Sequence, residues 1–159
     1  MGYWGWIVVA KGDSALVEHP AVTADGRVGV LHAYVRGDWR EIWLDGGCGR
    51  PGAAAQAVAR VTGAPAMVVV VADEDCAVLH AAAPAGAPWT GVFQESAALE
   101  YEAVPPGYVR ARAVSGALAW AAEAGLTADA AGAEAAFADG WYTDLLTALG
   151  FPEGAEAGP

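Results

Sequence analysis

The chain has 159 residues and a mass of 16.1 kDa, the size of one domain. Nineteen acids against eight bases give a formal net charge of −11, and no cluster of Lys or Arg is present to displace the counterions of a phosphate backbone. Nucleic acid and anionic membrane are therefore not expected as partners. The longest apolar run, Ala66 to Ala72, is seven residues, against the ~20 of a membrane span.

The first strand is expected over Tyr3 to Ala10, where both alternating sets are apolar. A strand covered on both faces reads this way. Gly12, Asp13, Pro20, Asp25 and Gly26 mark a loop. Val28 to Val35, the turn Arg36-Gly37-Asp38 and Trp39 to Leu44 read as a hairpin. A Gly-rich loop, Asp45 to Gly52, leads into a short helix over Ala53 to Val61, with Pro51 suited to its first turn and Gly63 to its end. Ala66 to Ala72, Cys76 to Ala82 and Trp89 to Phe93 form a meander of three strands, followed by a helical turn at Ser96 to Glu102. The last third reads as three helices: Val109 to Glu123, a second capped by Thr127, and a third started by Asp139 with Trp141, Leu145, Leu146 and Leu149 on one face. Residues 153–159 read as a frayed acidic tail beyond a single domain over 1–152.

Two successive units of three strands and a helix are thus expected. The fold class is α+β, with about six antiparallel or mixed strands and the C-terminal helices packed on one face. Leu, Ile, Val and Phe are sparse, so Trp and Tyr must supply core volume. Trp4, Trp6 and Trp120 are expected inside.

Reactive constellations are few. Cys48 and Cys76 do not make a disulfide scaffold, and the N-terminus shows no basic region before an apolar stretch. Reduced thiols in a cytoplasmic protein are expected. No C-x-x-C or H-x-x-x-H spacing supports a metal, and no cofactor is implied. Cys76 and His80 share a strand face but lie ~13 Å apart along it. Ser14, Ser96 and Ser115 sit in no nucleophile elbow.

Two features remain as candidate sites. Gly47 and Gly49 with Arg50, before a helix, resemble an anion cradle that His32 or His80 could border, but the loop lacks P-loop and dinucleotide spacings. The other feature is charge placed beside aromatics. After Arg112 the chain has no base and seven acids: Glu123, Asp129, Glu134, Asp139, Asp144, Glu153 and Glu156. Asp73-Glu74-Asp75 forms a dense anionic turn. Trp39, Glu41 and Trp43 alternate onto one strand face, with the two indoles as candidate surface anchors. An uncompensated acidic face speeds encounter with a cationic partner, and it also keeps a protein soluble.

Four stretches, Met-Gly-Tyr-Trp-Gly at 1–5, Thr-Gly-Ala-Pro-Ala at 62–66, the strand–turn–strand at 69–78 and Ala-Trp-Ala-Ala-Glu-Ala-Gly-Leu at 119–126, resemble small actinobacterial α+β proteins of about this length. The resemblance covers most of the chain, implies no particular activity and carries over no site residue. Two functions are expected from the residues themselves. The first is a non-enzymatic acidic interaction domain, such as an inhibitor or immunity protein that neutralises a basic effector, with Trp39, Glu41, Trp43, Asp73, Glu74, Asp75, Asp139 and Asp144 meeting a basic protein partner. The alternative is a small-ligand protein or enzyme using Gly47, Gly49 and Arg50 with His32 and His80. No feature sets an oligomeric state.

Overall fold

A computed structural model describes residues 2–157. Seven strands form one sheet: β1 (Gly5–Lys11), β2 (Val30–Arg36), β3 (Trp39–Leu44), β4 (Ala66–Ala72), β5 (Cys76–Ala82), β6 (Trp89–Phe93) and β7 (Ala155–Glu156). Their order is β6-β5-β4-β1-β3-β2-β7, and every pairing is antiparallel. The protein is α+β. β1 lies at the centre, which is why both of its alternating sets are apolar. Ile7 and Val9 face one side, and Val8 and Ala10 face the other.

Helices cover both faces. On the first lie α4 (Arg110–Glu123), α5 (Ala130–Asp139) and α6 (Tyr142–Ala148), so the C-terminal helices do pack together on one face. They bury Trp120, Phe137, Leu145 and Leu149 against Met67, Val69 and Leu79. On the second face lie a 3-10 turn (Ser14–Glu18), α1 (Pro20–Thr23) and α2 (Pro51–Thr62), packed on Val8, Ile42 and Val68. The helical turn α3 (Glu95–Glu100) closes a smaller cluster of Cys76, Val78, Val92 and Ala98. Close approach of helix and sheet needs glycine at 91, where a Cβ would stand 2.4 Å from Phe137 Cε1.

The expected pair of like units is not a repeat. In the first the order is β1-β3-β2, whereas the second is a plain meander, and α2 and α4 lie on opposite faces. Helix starts also differ from expectation. Asp129 rather than Thr127 stands at the N-cap of α5, and Trp141 rather than Asp139 at that of α6, where Asp144 Oδ2 accepts from the Trp141 amide at 2.8 Å. The expected frayed tail instead supplies β7, paired to Tyr34 and Val35, with the Ala157 amide donating to the Ala33 carbonyl at 3.0 Å. Pairing satisfies part of an edge strand that would otherwise be open. No described helix is long and apolar enough to cross a membrane.

Candidate functional site

Strand alternation puts Trp39, Glu41 and Trp43 on the face that carries α4 to α6. The helical layer covers that face unevenly, and the three residues meet three different environments. Trp39 is only 4% exposed, packed against Phe151 at 5.0 Å and Trp120 at 5.7 Å between ring centroids. It is a core residue and not a surface anchor. Glu41 is 3% exposed, the sole buried charged residue among those described. Trp43, at the far end, stays half-buried at the edge of the helical layer.

Glu41 is buried with its donors. Arg36 Nε donates to Oε1 at 2.7 Å; Trp43 Nε1 and Tyr142 Oη donate to Oε2 at 2.9 and 2.7 Å. A buried carboxylate persists only when paired and hydrogen-bonded in this way. Burial, and then the Glu41 charge, push the Tyr142 phenol well above its ordinary value, so it remains protonated and keeps donating. Three donors on one carboxylate fix a charge and orient the indole of Trp43 and the ring of Tyr142.

Those two rings are shared by two adjoining hollows. A cleft of about 520 Å³ is lined by Tyr34, Arg36, Trp43, Tyr142, Thr143 and Glu153, among others. A second of about 310 Å³ is lined by Tyr3, Trp43, Glu74, Trp141 and Tyr142, among others. Together they make an aromatic groove with an exposed carboxylate at each end, Glu153 and Glu74. Trp43 is its hub: its ring lies 5.0 Å from Tyr3, 5.8 Å from His32 and 6.2 Å from Tyr34. Tyr3 is locked by donation to the Leu44 carbonyl at 2.6 Å, and burial lifts its pKa to about 12.

The anionic turn closes the same end of the sheet. Asp73 and Glu74 have φ of 53° and 61°, and the Asp75 amide donates to the Ala72 carbonyl at 3.0 Å. The loop between the paired Ala72 and Cys76 has three residues, and its first two are left-handed, a conformation that suits Asn or Asp followed by Gly and strains the side chain of Glu74. The turn is tied to the N-terminus: the Gly2 amide donates to Asp73 Oδ1 at 2.6 Å, and the Glu74 amide to the Tyr3 carbonyl at 3.2 Å. Asp139 and Asp144 come to this end too. Gln94 Nε2 holds the Asp139 carbonyl at 3.2 Å, and Asp144 caps Trp141 in the groove wall. Of the expected partner-binding residues, Glu41, Trp43 and Glu74 line the groove, Glu41 as a buried carboxylate, and Asp144 supports it. Asp73 anchors the N-terminus, Asp75 bonds Tyr101 at 2.7 Å, and Asp139 is exposed nearby. Arg36, Tyr34, Tyr3 and Tyr142 escaped sequence reasoning. The cross-strand register Tyr34–Glu41 was the available signal for the first two; the 101-residue separation of Glu41 and Tyr142 left none for the last.

The Gly-rich loop is arranged differently. Gly47 lies flat on the Trp6 indole, where a Cβ would come within 2.0 Å, and the hollow beside it measures about 20 Å³. Gly49 has φ of 77° and Arg50 is the exposed N-cap of α2. His80 lies under that helix start, near Gly52, with its pKa lowered by burial. His32 stands on the opposite sheet face, beside Trp43. The fold therefore does not bring His32 to Arg50. Among the described residues, no three His, Cys, Asp or Glu side chains are grouped to hold a metal, and both cysteines are free.

No protein-family model, curated protein or solved structure matches the chain.

Proposed function

We propose that this chain is a non-enzymatic, acidic protein-interaction domain whose aromatic groove receives the basic side chains of a protein partner, as an inhibitor or immunity protein facing a basic effector would. The observation that carries this reading is the groove itself. Rigid Tyr and Trp rings line it, exposed carboxylates stand at both ends, and its one guanidinium is already bound to Glu41. Aromatic faces attract Arg and Lys, and neighbouring carboxylates add to that attraction. All seven acids past Arg112 are exposed, so the C-terminal layer adds a long-range negative field. Only part of that charge is spent inside: Glu123 accepts from the Ala85 and Gly86 amides and Asp144 from Trp141.

The test is a backbone-amide chemical-shift map with a blocked, arginine-rich peptide as probe and its glutamate counterpart as control. Shifts are expected at Tyr34, Trp43, Thr143 and Thr147 with the arginine peptide alone. Shifts confined to Gly46–Gly52, or equal responses to both peptides, would overturn the reading.

A further inference from the structure

We propose that a notch formed by Asp75, Glu100 and Tyr101, with Trp4 at its side, is a second anchoring site that takes an arginine side chain of the same basic partner. The proposal rests on the reading of the chain as a basic-partner binder, but it uses none of the residues that line the groove.

Trp4 was expected in the core and is 53% exposed instead. The reason is local. β1 begins at Gly5, so Trp4 lies outside the ladder, and its ring packs edge-on against Tyr101 at 5.6 Å. Tyr101, at 38%, and Leu99, at 66%, are further large apolar side chains left in solvent at the end of α3. Single exposed apolar residues are ordinary, whereas several together beside matched charge mark an interaction surface.

The notch beside Tyr101 has a volume of about 430 Å³ and is lined by Asp75, Ala97, Glu100 and Tyr101. Its lining is a flat ring, two carboxylates and a methyl group. Tyr101 is held by its hydroxyl, which donates to Asp75 Oδ2 at 2.7 Å, and by its amide, which donates to the Ala97 carbonyl at 3.1 Å. That bond to Asp75 pushes the Tyr101 phenol up to about 12, so the ring stays neutral. Among the described residues neither Asp75 nor Glu100 is in an ion pair. A planar cation fits this set, because a guanidinium stacks on an aromatic face while its edge donates to carboxylates.

Notch and groove are joined by chain neighbours. Tyr3 and Glu74 line the groove, while Trp4 packs on Tyr101 and Asp75 lines the notch. The same two short segments, 2–4 and 73–75, are tied by the bonds of Gly2 to Asp73 and Glu74 to Tyr3. One partner that straddles this end of the sheet would reach both sites, and the second contact would profit from the first through effective concentration.

The indole N–H signals of Trp4 and Trp43 report the two sites separately. The probe is a short blocked peptide with a single arginine, which cannot occupy both sites at once, compared with its norleucine counterpart. With the arginine peptide, the Trp4 signal is expected to shift saturably, and not with norleucine. Glu100→Gln is expected to raise the apparent Kd at Trp4 about two- to five-fold and to leave Trp43 unchanged. A Trp4 signal that stays still, or follows norleucine equally, overturns the second anchor. Movement of Trp43 alone leaves the groove reading standing and removes the notch. Movement of Trp4 alone keeps the notch and removes the groove.

Discussion

At the scale of single residues, the molecule turns on Glu41. Its carboxylate is stable in the interior because Arg36, Trp43 and Tyr142 each donate to it. Removing one partner of a buried charged pair costs about 3–5 kcal/mol, while deleting one hydrogen bond to a charged group costs about 1.5–3 kcal/mol. Glu41→Gln is therefore expected to destabilise more than Tyr142→Phe. The two should not add, because they share one bond. Urea unfolding of the singles and the double checks this; additive losses would mean that the network is not coupled. His80 gives a pH signature. Burial lowers its folded pKa below the ordinary 6.5. The native state then binds fewer protons than the unfolded state between that depressed value and 6.5, so stability falls as pH falls through this window. His80→Gln is expected to flatten the acid side of the curve of urea midpoint against pH, and an unchanged slope would contradict it.

Elements were legible where local rules decide them. The turns at Arg36-Gly37-Asp38 and Asp73-Glu74-Asp75, the valines of β4 and the glycine after α2 all act over a few residues, and the strands fall where apolar runs stand between turn residues. Trp39 and Trp43 mark where this legibility ends. Both sit on one face of β3, and only the landing of Phe151 and α6 makes one core and the other groove. Trp4 fails for a similar reason, since nothing local shows that the ladder stops at Gly5. β7 was hidden because two exposed residues carry no pattern. It is held by backbone bonds with little burial, so it belongs to the low-stability end of the fold. Ala157→Pro removes the amide that donates to Ala33. Faster amide exchange along β2 is expected, with global stability nearly unchanged; a cooperative loss of stability would show that β7 belongs to the core unit. In contrast, Gly91→Ala drives a methyl group into Phe137. A loss of about 1–3 kcal/mol is expected from overpacking.

At the scale of the whole molecule, charge and groove act together. A net −11, with no base among residues 113–159, leaves the helical layer negative, and the groove opens beside α6 in that layer. Surface fields of this kind govern encounter and are screened over ~10 Å at ~0.1 M salt, whereas packed aromatic contacts are not. The two contributions can be separated by combining a salt series with a variant that fills the groove. Thr143, half-buried in the groove wall on the first turn of α6, offers a position for such a change. The most direct measurement is calorimetric titration of the arginine-rich peptide into the wild-type chain and Thr143→Arg across rising sodium chloride. Wild-type affinity is expected to fall steadily with salt, and Thr143→Arg, still folded, to bind at least about ten-fold more weakly at every salt concentration. Equal affinity for the two proteins, or affinity indifferent to salt, would contradict this.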